Sequence, residues 1–145
     1  MPDPRGGPPT LPWGVTLIQD PSGLEYMNIE EGLGRTAGLQ DRVLIHWVGW
    51  LAGGTFLESS RGLEEENQDS TEPSIEGAAI REPRPIDLND PSLIEGWRLG
   101  IAGMKEGGRR RLIIPSDLAY GPRGKPPAIP PYSTLIYDIE LVRIG

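Results

Sequence analysis

Cysteine is absent from this 145-residue sequence, and histidine occurs only once, at His46. Without cysteine the chain has no disulfide, no thiol nucleophile and no cysteine-based zinc site. A single histidine excludes a metal centre built from several histidines. These absences leave open a catalytic triad that uses the single histidine.

The charge balance of the chain argues against binding to nucleic acid. Lys and Arg number 14 against 21 Asp and Glu, which gives a formal net charge of -7, whereas phosphates require a basic surface. No apolar run approaches the roughly 18 residues of a membrane-spanning helix. Met1 to Pro12 also lacks the apolar segment of a secretory signal. We therefore expect a soluble chain with no nucleic acid and no membrane span.

Glycine and proline are frequent, with 20 and 16 residues, yet 37% of the chain is hydrophobic. Residues 1–12 hold five of the prolines and are predicted to form a flexible tail. Residues 62–84 carry seven acidic side chains against Arg81 and Arg84, and they contain few large apolar residues. We interpret them as a solvated loop inserted into a single domain of residues 13–145.

Hydrophobic periodicity predicts an α+β fold. Alternating apolar residues indicate strands, of which residues 42–51 form the strongest. Leu93, Trp97 and Ile101 lie on one face of a short helix predicted over 93–102, with an N-cap supplied by the turn before it. Five or six strands and one short helix are typical of an antiparallel sheet folded around that helix, with a cavity between them.

Motifs of conventional enzymes are missing. The sequence has no P-loop, no dinucleotide-binding fingerprint and no Gly-x-Ser-x-Gly elbow. Ser59 and Ser60 follow His46 closely, but without a strained turn they are weak evidence for a hydrolase. The run Arg109 to Arg111 could bind an anion, although strand alternation favours Arg109 and Arg111 pointing to solvent.

Four blocks in the second half carry a more specific signal. They are IEGW, GMKEGGRRR, IPSDLAYG and IPPYSTLIYDIEL, and VLIHWVGWLAGGTFLESSR precedes them. In this order and spacing they closely resemble the FKBP-type peptidyl-prolyl cis-trans isomerases, over about residues 20–145. The resemblance implies a twisted antiparallel five- to six-stranded sheet wrapped around one short helix.

The resemblance also implies an apolar pocket between sheet and helix that admits a prolyl side chain. Trp97 matches the indole at the pocket floor, the N–H of Ile94 would bond a substrate carbonyl, and the Tyr120 hydroxyl would donate to substrate at the rim. Glu58 matches a carboxylate of the site. Further substrate contacts are implied for Trp47, Leu57, Leu93, Ile129, Tyr137 and His46, with His46 a structural residue near the wall. Trp97 and Tyr120 are also compatible with ordinary packing roles.

Three wall positions depart from the family pattern. An ungapped alignment places Trp47 where Tyr is usual, Leu57 where Phe is usual and Glu58 where Asp is usual. A one-residue shift would bring Phe56 to the Phe position, but it would misplace the following ESSR run, so the ungapped alignment is preferred. These changes imply a reshaped pocket with reduced activity or altered macrolide affinity.

The resulting function hypothesis is a peptidyl-prolyl cis-trans isomerase that assists protein folding without metal or cofactor. Its implied partners are proline-containing polypeptides and macrolides of the tacrolimus and rapamycin type, and its implied state is a monomer or a subunit docked on a larger assembly. The alternative is a low-activity binding or assembly module that docks through residues 62–84. The resemblance leaves both a chloroplast thylakoid lumen and the cytoplasm open as its compartment.

Overall fold

The computed structural model describes residue 8, residues 14–60 and residues 83–145. Within these ranges the chain forms seven β-strands, one α-helix and one short 3-10 helix. In chain order they are β1 (Leu17–Gln19), β2 (Glu25–Glu30), β3 (Arg42–Leu51), β4 (Phe56–Ser59), β5 (Arg84–Asp87), α1 (Glu95–Ile101), β6 (Arg109–Ile114), the 3-10 helix Ser116–Leu118 and β7 (Leu135–Ile144). None of the helices in these ranges is both long and apolar enough to cross a membrane.

All strands pair antiparallel in one sheet of order β1-β2-β6-β7-β3-β4, and β5 pairs with β3 beside β4. The last strand, β7, therefore lies between β6 and β3. The periodicity of β7 explains its position: Leu135, Tyr137, Ile139 and Leu141 are buried, while the residues between them are half-buried. Because alternate residues of a strand share a face, this face forms the floor of the core.

Helix α1 packs on that face against β6. Gly96 and Gly100 lie over Ile114 and Leu112, so close that a Cβ at either glycine would overlap the facing side chain. Trp97 is buried on the same helix. The absence of side chains at the two glycines is thus what allows the helix to approach the sheet.

The helix begins two residues later than the periodicity predicts. Ile94 has an extended backbone, with φ -64° and ψ 143°, and caps the helix without a side-chain hydrogen bond. The predicted N-cap from the preceding turn is wrong, because the Asp90 carboxylate instead accepts hydrogen bonds from the N–H and hydroxyl of Ser92.

The prediction that Arg109 and Arg111 both point to solvent is wrong for Arg111. Arg109 is exposed, but Arg111 is 8% exposed and its guanidinium forms a two-point ion pair with the Asp138 carboxylate, at 2.6 and 2.9 Å. Arg110 is buried on the other face, where it donates to Asn28 and to the carbonyl of Gly100. Cross-strand charge pairing, not alternation alone, decides where Arg111 lies.

The α+β fold of an antiparallel sheet around a short helix is confirmed. The strand total is seven because the three-residue β1 and the four-residue β5 both join the sheet. The predicted tail, apart from residue 8, and the predicted insert, apart from residues 83 and 84, lie outside the described residues.

Candidate functional site

A cavity of about 250 Å³ lies between the sheet and the loop that precedes β7. Its lining is largely apolar and combines β4, β7 and the loop that precedes β7. The lining residues are Leu57, Glu58, Tyr120, Lys125, Pro126, Pro127, Ala128, Ile129 and Tyr137. Five of the residues predicted from the sequence therefore meet in one place: Leu57, Glu58, Tyr120, Ile129 and Tyr137.

Three aromatic rings connect this cavity to the helix. The ring centroids of Trp97 and Tyr137 are 5.1 Å apart, and those of Trp97 and Trp47 are 5.0 Å apart, both in edge-to-face geometry. The indole N–H groups of the two tryptophans are buried and find no acceptor among the described residues. Packing and ring contacts, rather than hydrogen bonds, therefore hold the indoles in place.

A phenol and a carboxylate form the polar contact of the cavity wall. The Tyr137 hydroxyl donates a hydrogen bond to Glu58 Oε2 at 2.8 Å. Burial first, and then the Glu58 carboxylate, raise the pKa of Tyr137 well above its ordinary value. The hydroxyl therefore stays protonated at any physiological pH, and it holds the longer Glu58 side chain against the wall.

Tyr120 follows the 3-10 helix and lies half-buried at the edge of the cavity. No described residue shares a hydrogen bond with its hydroxyl. The loop beyond it is closed by two backbone hydrogen bonds exchanged between Lys125 and Ile129. Gly124, at φ +66°, allows this closure, because a Cβ there would overlap the backbone of Pro130. The Tyr120 ring therefore lies next to a hydrogen-bonded loop, and its O–H is free to donate.

The start of the helix offers a second free donor. Ile94 and Leu93 are half-buried and pack against the core. The carbonyl of Ile94 accepts from the N–H of Trp97, whereas no described residue accepts a hydrogen bond from the Ile94 N–H itself. This follows from the geometry of helix starts, where the first N–H groups have no partner within the helix. Leu93 contributes packing and does not line the cavity.

His46 lies away from the cavity. It is on the face of β3 opposite to that of Ile45 and Trp47, since neighbouring residues in a strand alternate. It is buried, and its Nδ1 lies 3.0 Å from the Ser60 hydroxyl, which also accepts from the N–H of Trp47. The structure therefore places His46 in a buried hydrogen-bond pair with Ser60 and outside the cavity lining.

The prolines of the loop are not identified as site residues by the sequence. Lys125, Pro126, Pro127 and Ala128 all line the cavity. These residues lie between the IPSDLAYG and IPPYSTLIYDIEL blocks, and this spacing is the signal that locates them as a segment. It does not say which of these side chains turn inward.

The arrangement suits binding rather than covalent chemistry. Glu58 and Lys125 are the only ionised side chains in the cavity lining, and both are exposed. No described nucleophile contacts a base in the lining, and no group of three metal-ligating side chains occurs among the described residues. What the cavity can do is hold an apolar ring while the free Tyr120 hydroxyl of its lining donates a hydrogen bond to the adjoining backbone.

Residues 34–142 match the family model described as FKBP-type peptidyl-prolyl cis-trans isomerase. The FK506-binding protein of Neisseria meningitidis serogroup A is 38% identical over 131 residues, covering 90% of this chain and 97% of that protein. The crystal structure of AtFKBP13 superimposes with a TM-score of 0.72 and 29% identity, covering 90% of this chain and 99% of that one. FkpA from Escherichia coli gives a TM-score of 0.71 and 31% identity. The match covers 92% of this chain but only 53% of that chain.

Proposed function

This chain belongs to the FKBP-type peptidyl-prolyl cis-trans isomerase family, and we propose that the cavity beside Tyr120 and Tyr137 is where it rotates X-Pro bonds. The observation that carries the proposal is a largely apolar cavity with the unused Tyr120 hydroxyl in its lining. The second donor that the proposal uses is the Ile94 N–H at the start of helix α1, which has no partner among the described residues. A bound peptide offers the carbonyl acceptors that these donors lack.

The physical chemistry of the reaction explains why such a site suffices. Amide resonance opposes rotation about X-Pro with a barrier of about 18–20 kcal/mol, so uncatalysed exchange takes tens to hundreds of seconds. Resonance separates charge between the carbonyl oxygen and the nitrogen, and the twisted transition state loses that separation. A dry apolar pocket therefore favours the twisted state relative to water. No bond breaks, so no nucleophile is needed.

Positioning supplies the second contribution. The proline ring would enter between Tyr137, Leu57 and Ile129, above the Trp97 ring. Hydrogen bonds from Tyr120 and Ile94 would hold the flanking peptide in a turn, so that part of the ordering entropy is lost on binding rather than in the rotation step. Trp47 and Glu58 act on this geometry indirectly, by packing on Trp97 and by holding the Tyr137 hydroxyl.

The test is an isomerisation assay on a peptide of the Ala-Leu-Pro-Phe type, with and without tacrolimus. We expect the chain to accelerate the slow phase and tacrolimus to suppress that acceleration. Tyr120→Phe should lower kcat/KM about fivefold, the value of one hydrogen bond of about 1 kcal/mol. Tyr132→Phe is the matched control, because Tyr132 is 73% exposed and outside the cavity lining.

A second variant separates packing from hydrogen bonding. Trp97→Leu should lower activity while the domain still shows a cooperative unfolding transition. A folded wild-type chain that leaves the slow phase unchanged would contradict the proposal, as would equal rates in wild type, Tyr120→Phe and Trp97→Leu.

A further inference from the structure

Two cations lie over aromatic rings at the site. The Arg84 guanidinium carbon is 5.9 Å from the centroid of Trp47, and Lys125 Nζ is 5.3 Å from the centroid of Tyr120. Both side chains are exposed. Neither forms an ion pair within 4.0 Å with a carboxylate of the described residues. Within the part of the chain that the structure describes, neither cation is therefore neutralised by a carboxylate.

Strand register places Arg84 on the side of the sheet that carries the cavity. Arg84 is directly opposite Ile45 in the β3–β5 pair, and directly opposed residues share a face. Trp47 is two residues further along β3 on that face, and Glu58 lies opposite Gly49. Arg84, Trp47 and Glu58 thus follow one another along the same edge, while Lys125 lines the cavity from the loop.

The opposing charge that the described residues place at this edge is smaller. Glu58 is the one carboxylate in the cavity lining, and one of its oxygens already accepts the hydrogen bond from Tyr137. Among the described residues, Lys125 of the lining and Arg84 on β5 therefore accompany a single lining carboxylate. This balance is opposite in sign to that of the whole chain, whose formal charge is -7.

We propose that Arg84 and Lys125 select substrates in which an acidic residue precedes the proline. This rests on the proposed function, since it needs the proline ring in the cavity. With the proline ring bound, the side chain of the preceding residue lies at the mouth of the cavity. A carboxylate there is attracted by both cations and can accept two hydrogen bonds from the Arg84 guanidinium. A lysine there meets like charge.

The experiment compares peptides of sequence Ala-Xaa-Pro-Phe with Xaa as Glu, Gln, Lys and Leu. Glu and Gln have nearly the same shape, so the ratio of their kcat/KM values isolates charge. Because exposed pairs are weak, we expect wild type to prefer Glu over Gln by about threefold at low ionic strength. Salt should reduce this preference as it screens the exposed charges. The Lys peptide should fall below Gln.

Variants that remove charge test whether Arg84 and Lys125 cause the preference for Glu over Gln. The double variant Arg84→Gln with Lys125→Gln should bring the Glu to Gln ratio to about one, and each single variant should fall between. Glu58→Gln should raise the ratio. The control is Arg42→Gln, which removes the same charge from the same strand pair but on the opposite face of β3, and which should keep the wild-type ratio.

Two results would overturn the assignment. One is a wild-type ratio at or below one, and the other is a ratio that stays the same in the folded double variant. The Leu peptide keeps this test separate from the proposed function. If wild type fails to accelerate the Leu peptide, the site itself has been misassigned, whereas normal turnover of Leu with no preference for Glu contradicts the selectivity alone.

Discussion

The hydroxyl of Tyr137 links the pocket wall to the pH dependence of folding. Its pKa is raised in the folded chain by burial and by Glu58, while in the unfolded chain it takes the ordinary tyrosine value of about 10. Below that pH both states keep the proton and the contribution to stability is complete. Above it the unfolded state loses the proton first, so stability falls as pH rises, by up to about 1.4 kcal/mol per pH unit.

We therefore expect the free energy of unfolding to decrease more steeply between about pH 9 and 11 in wild type than in Tyr137→Phe. Urea unfolding followed by tryptophan fluorescence measures both slopes. Tyr132→Phe should keep the wild-type slope, since Tyr132 is exposed. Identical slopes in all three proteins would show that Tyr137 ionises as readily in the folded chain as in the unfolded one.

Residues within the family blocks could be located from the sequence. Tyr120, Ile129 and Tyr137 come from contiguous motifs, and they do meet around the cavity. Arg84 could not be located, because its position beside Trp47 depends on the register between β5 and β3, which are separated by residues that no motif covers. A short turn fixes the register of a hairpin, but no short turn connects β3 to β5.

The packing of helix α1 on the sheet depends on the absence of side chains at its glycines. A Cβ at Gly100 would lie 2.5 Å from both terminal carbons of Leu112, which is buried. Alanine normally favours a helix interior by about 1 kcal/mol over glycine, but forcing a methyl group into a filled core costs about 1–3 kcal/mol. At Gly100 the steric cost of the overlap with Leu112 should exceed the gain in helix propensity.

We expect Gly100→Ala to lower the free energy of unfolding by about 1 kcal/mol, the difference between these two effects. The shift of the denaturant midpoint measures this change, provided that the dependence of the unfolding free energy on denaturant concentration is the same in both proteins. Gly53→Ala serves as the matched control, because a methyl group at Gly53 would have nothing within 4 Å, and it should stay within about 0.5 kcal/mol of wild type. A more stable Gly100→Ala variant would mean that the helix can move away from β6.

The helix itself was predictable from the spacing of Trp97 and Ile101, whereas its first residue was not. Periodicity depends on side-chain burial, and Leu93 and Ile94 are apolar enough to extend the pattern. The backbone at Ile94 is nevertheless extended. The same limit explains Arg111, whose burial depends on Asp138 of the neighbouring strand and not on its own periodicity.

At the scale of the whole molecule, the sheet order makes β7 indispensable. It pairs with β6 on one side and β3 on the other, and it supplies buried Leu135, Tyr137, Ile139 and Leu141. The edge strand β1 has only three residues, of which Leu17 is 46% exposed. The two ends of the described chain therefore contribute very unequally to folding.

Removing residues 135–145 should leave no cooperative unfolding transition and no tertiary signal in the near-ultraviolet circular dichroism of the tryptophans. Removing residues 1–19 should keep both, with reduced stability, because the edge strand β1 is the one element that the described residues of this segment form. A shortened chain without β7 that still gave a sharp transition would mean that β3 and β6 can pair with each other directly.

The central position of β7 also bears on how the protein is made. A ribosome delivers this chain from its amino end, so β3 and β6 emerge well before the strand that joins them. Until residues 135–144 have emerged, each of those strands presents an unpaired edge to its surroundings. The pocket wall at Tyr137 is completed in the same late step, so the proposed proline site does not exist until synthesis has passed β7.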